Sequence, residues 1–181
     1  VLTQLAVGAF VANLLRGEVQ PLNATVSLAV GILAMGASVL HLGRPLYAYR
    51  AVIGLRHSWL SREIVAFGAF MGLATPYAAS VWWDRPIVPL GYAAAATGLA
   101  GVACSVLIYT KTRRRSWKPW SVSLRFFGGA AISGATTVAW ATTLRDGSWL
   151  AALGMTAVLG GVLAAQMWER LRFFTHAGRP E

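Results

Sequence analysis

Long, continuous runs of apolar residues dominate the chain, and short polar segments separate them. A helix needs about 20 mostly apolar residues to cross the hydrocarbon core of a membrane. Because the runs do not alternate between apolar and polar residues, they favour helices over the strands of a membrane barrel. The pattern therefore predicts an all-α, polytopic transmembrane helix bundle with six spans, over residues 1–15, 22–42, 64–83, 87–110, 122–143 and 149–168.

The composition supports a membrane location. Hydrophobic residues make up 56% of the 181 residues and charged residues only 12%, whereas a soluble domain has about 25% charged residues. A single cysteine, Cys104, excludes a disulfide-stapled secreted domain, and we interpret it as small apolar filling in a helix. Because the first apolar run begins at residue 1, we expect a few residues of the natural protein to precede it.

The net charge of +10 is concentrated on one side of the predicted bundle. In a six-span topology the even-numbered junctions and both termini share a side, and the positive-inside rule places the basic side in the cytoplasm. The charge is then explained by orientation and contact with anionic membrane lipid, or by a docking face for a peripheral subunit, without nucleic acid. The opposite side carries Arg16, Arg85 and Arg145, and the basic side carries Arg44, Arg50, Arg56, Arg62, Lys111, Arg113, Arg114, Arg115, Lys118, Arg125, Arg170, Arg172 and Arg179.

Few residues in the predicted spans suit a resident metal or haem. The histidines, His41, His57 and His176, all lie away from the middle of a span, whereas a transmembrane haem takes axial ligands from facing helices at membrane depth. The sequence has no cysteine cluster for iron–sulfur ligation and no Walker loop. We therefore expect no haem or metal in this chain and no ATP-driven transport.

The richest polar segment, residues 41–64, links the second and third predicted spans. His41 ends one apolar run, and Glu63 is predicted in the first turn of the next helix, after Ser58 and Ser61 as candidate caps. Taken singly, each has a structural explanation: helix ends favour a carboxylate at the start and an imidazole at the finish. Together, at the membrane boundary, they can accept protons from a membrane-soluble donor such as a quinol.

A short repeat suggests how the domains are organised. His176-Ala-Gly-Arg-Pro180 echoes His41-Leu-Gly-Arg-Pro45, four predicted helices earlier, although chance explains a match of this length equally well. A real repeat would fit two four-helix units. We predict a first four-helix bundle over residues 1–121 and the start of an incomplete second bundle over residues 122–181.

Three motifs in residues 41–64 are similar to the signature of the membrane anchor subunits of dimethyl-sulfoxide reductases. They are His41-Leu-Gly-x-Pro45, Ala48-x-Arg50-Ala51 and Ser58-Trp-Leu-Ser-Arg-Glu-Ile64. Ile108-Tyr109 and the basic loop through Trp120 extend the similarity. The wider group includes the quinol-binding anchors of the polysulfide-reductase type.

The resemblance implies an eight-helix anchor, without haem, in the cytoplasmic membrane of a prokaryote. Such an anchor binds and oxidises menaquinol in anaerobic respiration. It passes electrons to a ferredoxin-like subunit with 4Fe-4S clusters, which feeds a molybdopterin catalytic subunit. The terminal active site would therefore lie on a partner chain, and this chain would be a non-autonomous subunit.

By position in the motifs, His41 and Glu63 resemble the quinol-site residues of that family. We predict Glu63 as the proton acceptor and His41 as the hydrogen-bond partner of a quinol oxygen, acting as base or donor. Tyr109 is predicted to line the pocket, and Arg50 and Arg62 either to orient Glu63 or to serve as headgroup or docking charges. Two alternatives remain: a purely structural anchor without quinol chemistry, and a small-molecule transporter, which the scarcity of prolines within the spans disfavours.

Overall fold

The computed structural model describes residues 1–17, 20–40, 47, 49–111 and 118–176, and the regular elements in these residues are helical. The predicted all-α helix bundle is confirmed. The described helices are α1 (Leu2–Leu15), α2 (Pro21–Leu40), the short α3 (Arg50–Ile53), α4 (Trp59–Trp82), α5 (Val88–Lys111), α6 (Pro119–Arg145) and α7 (Trp149–His176).

Four of these helices are long and apolar enough to cross a membrane, which indicates a multi-pass membrane protein. Their candidate spans cover Pro21–Ser38, Trp59–Trp82, Val88–Lys111 and Trp149–Arg172. Helix α1 is apolar but has only 14 residues. Helix α6 has 27 residues but is not one of the four, and hydroxyl side chains lie among its buried residues. The count of six spans therefore stays a prediction.

Helix α4 begins where the sequence predicts a cap and then runs without a break. The Ser58 hydroxyl oxygen accepts a hydrogen bond from the Ser61 backbone N–H at 3.3 Å, which satisfies one of the free donors at the helix start. The helix continues through Pro76 to Trp82. A short turn then leads into α5, which packs antiparallel against α4.

Helix α1 lies at the centre of the bundle, in contact with α2, α5 and α6. Its crossing with α6 is unusually close, because a Cβ atom at Gly8 would overlap the backbone of Ala130, and one at Gly134 would overlap the backbone of Gly8. Small residues at such crossings let membrane helices pack backbone to backbone. Helix α6 thus packs directly on α1, and the predicted domain division at residue 121 stays a prediction.

Polar contacts between helices gather at the two ends of the bundle. One end holds the starts of α1, α4 and α6 and the final turns of α5 and α7, which meet through side chains described below. At the other end, Trp82 Nε1 donates to Thr25 Oγ1 at 2.9 Å. This arrangement agrees with the predicted topology, while the assignment of either end to the cytoplasm stays a prediction.

A buried amide pair joins α1 to α2 and allows a test of the fold. Asn23 Nδ2 donates to Asn13 Oδ1 at 3.3 Å, and the two residues are 5% and 3% exposed. We expect Asn13→Leu to lower the free energy of unfolding by about 1 kcal/mol, because it leaves the Asn23 amide unpaired. Equilibrium unfolding in mixed detergent micelles measures this, with Asn23→Leu and the double variant completing the cycle. Strictly additive losses would show that the two amides do not interact.

Candidate functional site

Glu63 lies near the start of α4, and its carboxylate is turned towards α5. Ser105 Oγ donates a hydrogen bond to Glu63 Oε1. The same hydroxyl lies 3.2 Å from the Gly101 carbonyl oxygen, so its single proton serves two acceptors. Ser105 is buried and Glu63 is partly buried. A neutral hydroxyl therefore holds the carboxylate through one of its two oxygens.

The predicted position of Glu63 in the first turn of its helix is wrong. Helix α4 begins at Trp59, directly after the Ser58 cap, and its first turn contains no acidic residue. Glu63 is therefore beyond the turn whose free N–H groups favour a negative charge. The simple structural explanation for this carboxylate is correspondingly weaker.

Tyr109 lies in the last turn of α5, at the same end of the bundle as Glu63. Its ring packs against the Phe126 ring of α6, with centroids 5.4 Å apart and planes at 47°. Ser105, the hydrogen-bond partner of Glu63, lies one helical turn before Tyr109 on α5. The structure thus brings together two of the residues that the sequence analysis selected.

Arg170, near the end of α7, completes this cluster. Its guanidinium donates to Gln4 Oε1 on α1, and its Cζ lies 4.7 Å from the centroid of the Phe126 ring. Gln4 is only 2% exposed. The Phe126 ring contacts both Arg170 and Tyr109. We call Gln4, Glu63, Ser105, Tyr109, Phe126 and Arg170 the Glu63 cluster.

The contact of Arg170 with Gln4 was not predicted from the sequence, in which Arg170 belongs to the general positive charge of its side. Residues 4, 63 and 170 are far apart in the chain, and no motif connects them. The only sequence signal was the Glu169-Arg170 pair at the end of an apolar run. Glu169 faces outwards and lies 3.6 Å from Arg125, whereas Arg170 faces the bundle, so neighbouring charges have different environments.

The two other predicted arginines make local contacts. Arg62 Nε donates to the Leu55 carbonyl at 2.8 Å and its Nη2 to the Arg56 carbonyl at 3.1 Å, which closes the turn before α4. Arg50 lies 4.7 Å from the centroid of the Tyr47 ring. Their roles towards Glu63 stay predictions.

His41 lies outside the described residues. In the part of the chain that the structure describes, no three His, Cys, Asp or Glu side chains come together as a metal site requires.

The chemistry that the Glu63 cluster can perform follows from its composition. A carboxylate can accept a proton, a phenol and a hydroxyl can donate hydrogen bonds, and a guanidinium supplies a permanent positive charge. Ionisable groups in a membrane helix bundle are costly to bury and are functional candidates for that reason. The cluster is therefore suited to exchange protons with a neutral molecule that arrives from the membrane.

A separate cleft of about 420 Å³ lies between α6 and α7, on the outer face of α6. Gln166 Nε2 donates to the Gly129 carbonyl oxygen at 3.2 Å in its wall, and the Arg125–Glu169 ion pair lies at its edge. Apart from these groups, the lining consists of Trp120, Ser121, Leu124, Gly128 and Ile132. The Gln166–Gly129 hydrogen bond and the Arg125–Glu169 ion pair in its lining connect α7 to α6.

Comparison with known proteins gives a consistent family relationship. The family described as DMSO reductase anchor subunit (DmsC) matches residues 1–168. A sulfite dehydrogenase subunit of Allochromatium vinosum is 35% identical over 122 residues, which cover 59% of this chain and 38% of that protein. The chain thus matches well under half of the length of this relative. No solved structure matches the chain.

Proposed function

The chain belongs to the family of DMSO reductase anchor subunits, and we propose that it binds a quinol at the Glu63 cluster and delivers its electrons to a partner subunit. The complete complex would be a membrane-bound molybdopterin oxidoreductase, with menaquinol as the electron donor. Its ferredoxin-like iron–sulfur subunit and its molybdopterin catalytic subunit would lie on other chains. This chain would supply the membrane attachment and the quinol site.

The observation that carries the proposal is the Glu63 carboxylate, held by Ser105 at the end of the bundle where Phe126 contacts Tyr109 and Arg170. Oxidation of a quinol to a quinone releases two electrons and two protons. The electrons leave through the partner subunit, whereas the protons need an acceptor close to the quinol hydroxyls. Glu63 is the acidic residue of the described cluster, and we assign it this role.

The predicted partners of Glu63 keep their proposed roles. His41 would contact a quinol oxygen as base or hydrogen-bond donor, from the polar segment that precedes α4. Tyr109 would line the pocket, and its packing on Phe126 would keep the phenol at the site. Arg50 and Arg62 would orient the carboxylate or hold headgroups and partner surfaces.

Exposed basic side chains at the same end of the bundle support a docking site for the partner subunit there. Arg56, Lys111 and Lys118 are exposed there, and complementary charge guides the docking of subunits. We propose that the iron–sulfur subunit binds at this end, close to the quinol site. By the positive-inside rule this end faces the cytoplasm of a prokaryotic inner membrane.

The relative's name allows electron flow in the opposite direction. A dehydrogenase removes electrons from its substrate, whereas the family is described as anchors of a reductase. A residue that accepts a proton in one direction donates it in the other. In a dehydrogenase complex, Glu63 would therefore supply protons to a quinone.

The proposal is tested on the complete complex, purified in mild detergent through a tag on this chain. We expect iron, molybdenum or tungsten and a ferredoxin-like subunit to co-purify. A water-soluble menaquinol analogue should reduce the clusters, or its quinone should oxidise them, and a quinol-site inhibitor should block this saturably. A metal-containing complex that shows neither reaction would support a purely structural anchor. A lone chain without metals would contradict the proposed complex with metal-containing partners.

A further inference from the structure

We propose that a small polar pocket at the end of the bundle opposite the Glu63 cluster binds a phosphate group. The pocket has a volume of about 60 Å³ and lies where the end of α1, the start of α2 and the end of α6 meet. Its lining consists of Arg16, Gln20, Asn23, Thr142 and Arg145. The site is separate from the proposed quinol chemistry and does not depend on it.

Two of the three arginines on this side of the chain lie at this one pocket. The side carries Arg16, Arg85 and Arg145, and Arg16 and Arg145 both line the pocket. Arg16 directly follows α1 and Arg145 ends α6, and a positive charge is favoured at the end of a helix. That preference explains each arginine singly but not why the two share a pocket. Like charges that are close together repel each other, and an anion between them removes the repulsion.

The neutral side chains of the pocket can donate hydrogen bonds to phosphate oxygens. Gln20 and Asn23 carry amide groups with two N–H donors each. Asn23 is 5% exposed, and its Nδ2 donates to Asn13 Oδ1 at 3.3 Å, which uses one of its two hydrogens and holds the side chain in place. The Thr142 hydroxyl donates to the Ala139 carbonyl oxygen of its own helix at 2.7 Å. The amides are therefore the neutral donors that remain for a ligand.

Acidic side chains leave the pocket with donors for an anion. Asp146 Oδ1 accepts a hydrogen bond from Arg145 Nε at 3.0 Å, and the Asp146 side chain is 58% exposed. A guanidinium has five N–H donors, and this contact uses one of them. Among the described residues Arg16 takes part in no ion pair, and Glu18 lies outside the described residues. Arg145 thus keeps donors that can reach a second acceptor.

The size and the depth of the pocket favour the phosphate of a membrane phospholipid. A buried water needs about 10–15 Å³ of free volume, so the pocket has room for a group of about five heavy atoms. Trp82, Trp83 and Trp149 are exposed at the same end of the bundle, and exposed tryptophans mark the depth of the lipid headgroups. Arginine suits phosphate because its planar fork can donate two parallel hydrogen bonds. A phosphate held by Arg16 and Arg145 would join the ends of α1 and α6.

Lipid binding to the full chain, purified with its partner subunits in a phosphate-free neutral detergent and depleted of lipid, tests the site. The probes are dihexanoyl phosphatidylglycerol and, separately, inorganic phosphate, with bound molecules counted by native mass spectrometry. We expect Arg16→Gln and Arg145→Gln each to raise the Kd of one bound lipid about 10-fold, because each removes a charged hydrogen-bond donor. Arg85→Gln is the matched control, since Arg85 is exposed on the same side but does not line the pocket. It should leave this Kd unchanged.

Further measurements identify the group that binds and guard against unfolded variants. Dihexanoylglycerol, which has the same chains without the phosphate, should show no binding that depends on the two arginines. Where a glutamine variant does not fold, Arg16→Lys or Arg145→Lys replaces it and should weaken binding by a smaller factor, because lysine keeps the charge but loses the planar fork.

The outcomes separate a phosphate site from general surface charge. Inorganic phosphate that binds with the same dependence on Arg16 and Arg145, in place of the lipid, would support the phosphate site and identify a dissolved ion as its ligand. Lipid binding of equal strength in the wild type and in both arginine variants would overturn the proposal. Equal weakening in Arg85→Gln would also overturn it, because the charge of the whole side would then account for the binding.

Discussion

Replacement of Glu63 by glutamine should lower quinol-linked electron transfer about 100-fold or more, because general acid–base catalysis typically contributes at least that much. Glutamine has nearly the same shape, and its amide oxygen can still accept the hydrogen bond from Ser105. It cannot accept the proton that a quinol must release. The chain should therefore remain folded and assembled while its proton acceptor is lost.

The measurement is turnover of the complex in membranes or detergent, with the amount of assembled complex determined in the same samples. Glu169→Gln is the matched control, because Glu169 lies at the same end of the bundle but pairs with Arg125, and its side chain is 61% exposed. That variant should retain near wild-type turnover. Undiminished quinol-linked transfer in Glu63→Gln would remove Glu63 from the mechanism.

Gly134→Ala should produce the largest effect on stability, a loss of roughly 3 kcal/mol, because overpacking against rigid neighbours is destabilising. A Cβ atom at Gly134 would meet the backbone of Gly8 rather than a flexible side chain. The two helices would have to separate along a contact that involves most of α1. In an open helical position, the same replacement stabilises a helix by about 1 kcal/mol.

Gly128→Ala on the same helix provides the control. Its Cβ atom would meet only the Leu124 side chain, at 3.9 Å, so no backbone has to shift. Unfolding in mixed micelles should therefore show a loss of stability in Gly134→Ala, and no loss or a small gain in Gly128→Ala. Equal stability of the two variants would mean that α1 and α6 are not in backbone contact.

Most of the helices could be predicted from the sequence, because burial in a membrane requires a long apolar run that hydropathy reveals directly. The predicted ends agree with the structure at several places, such as the Ser58 cap of α4. Helix α6, predicted over residues 122–143, is observed over Pro119–Arg145 and contains hydroxyl side chains among its apolar residues. Its hydroxyl side chains, including Ser133 and Thr137, donate to carbonyls of their own helix and therefore need no water. A hydropathy scale counts these side chains as polar although their hydrogen bonds are made within the helix.

Only part of the candidate site could be predicted from the sequence. Glu63 and Tyr109 were selected from local motifs in which neighbouring residues occur together along the chain. Gln4 and Arg170 belong to no such motif, since a buried amide in an apolar run and an arginine at a helix end are common features. Their importance depends on which helices meet.

The sequence by itself determined that this protein is an all-helical membrane protein, where most of its helices lie, and where its ionisable residues concentrate. These properties depend on the transfer of side chains between water and membrane, and each segment expresses that preference independently of the others. Only the tertiary structure decided that α6 packs against α1 through Gly8 and Gly134, and that Arg170 meets Gln4. Helix packing in a membrane depends on surface shape and on a few polar contacts, and these arise between residues that are distant in the chain.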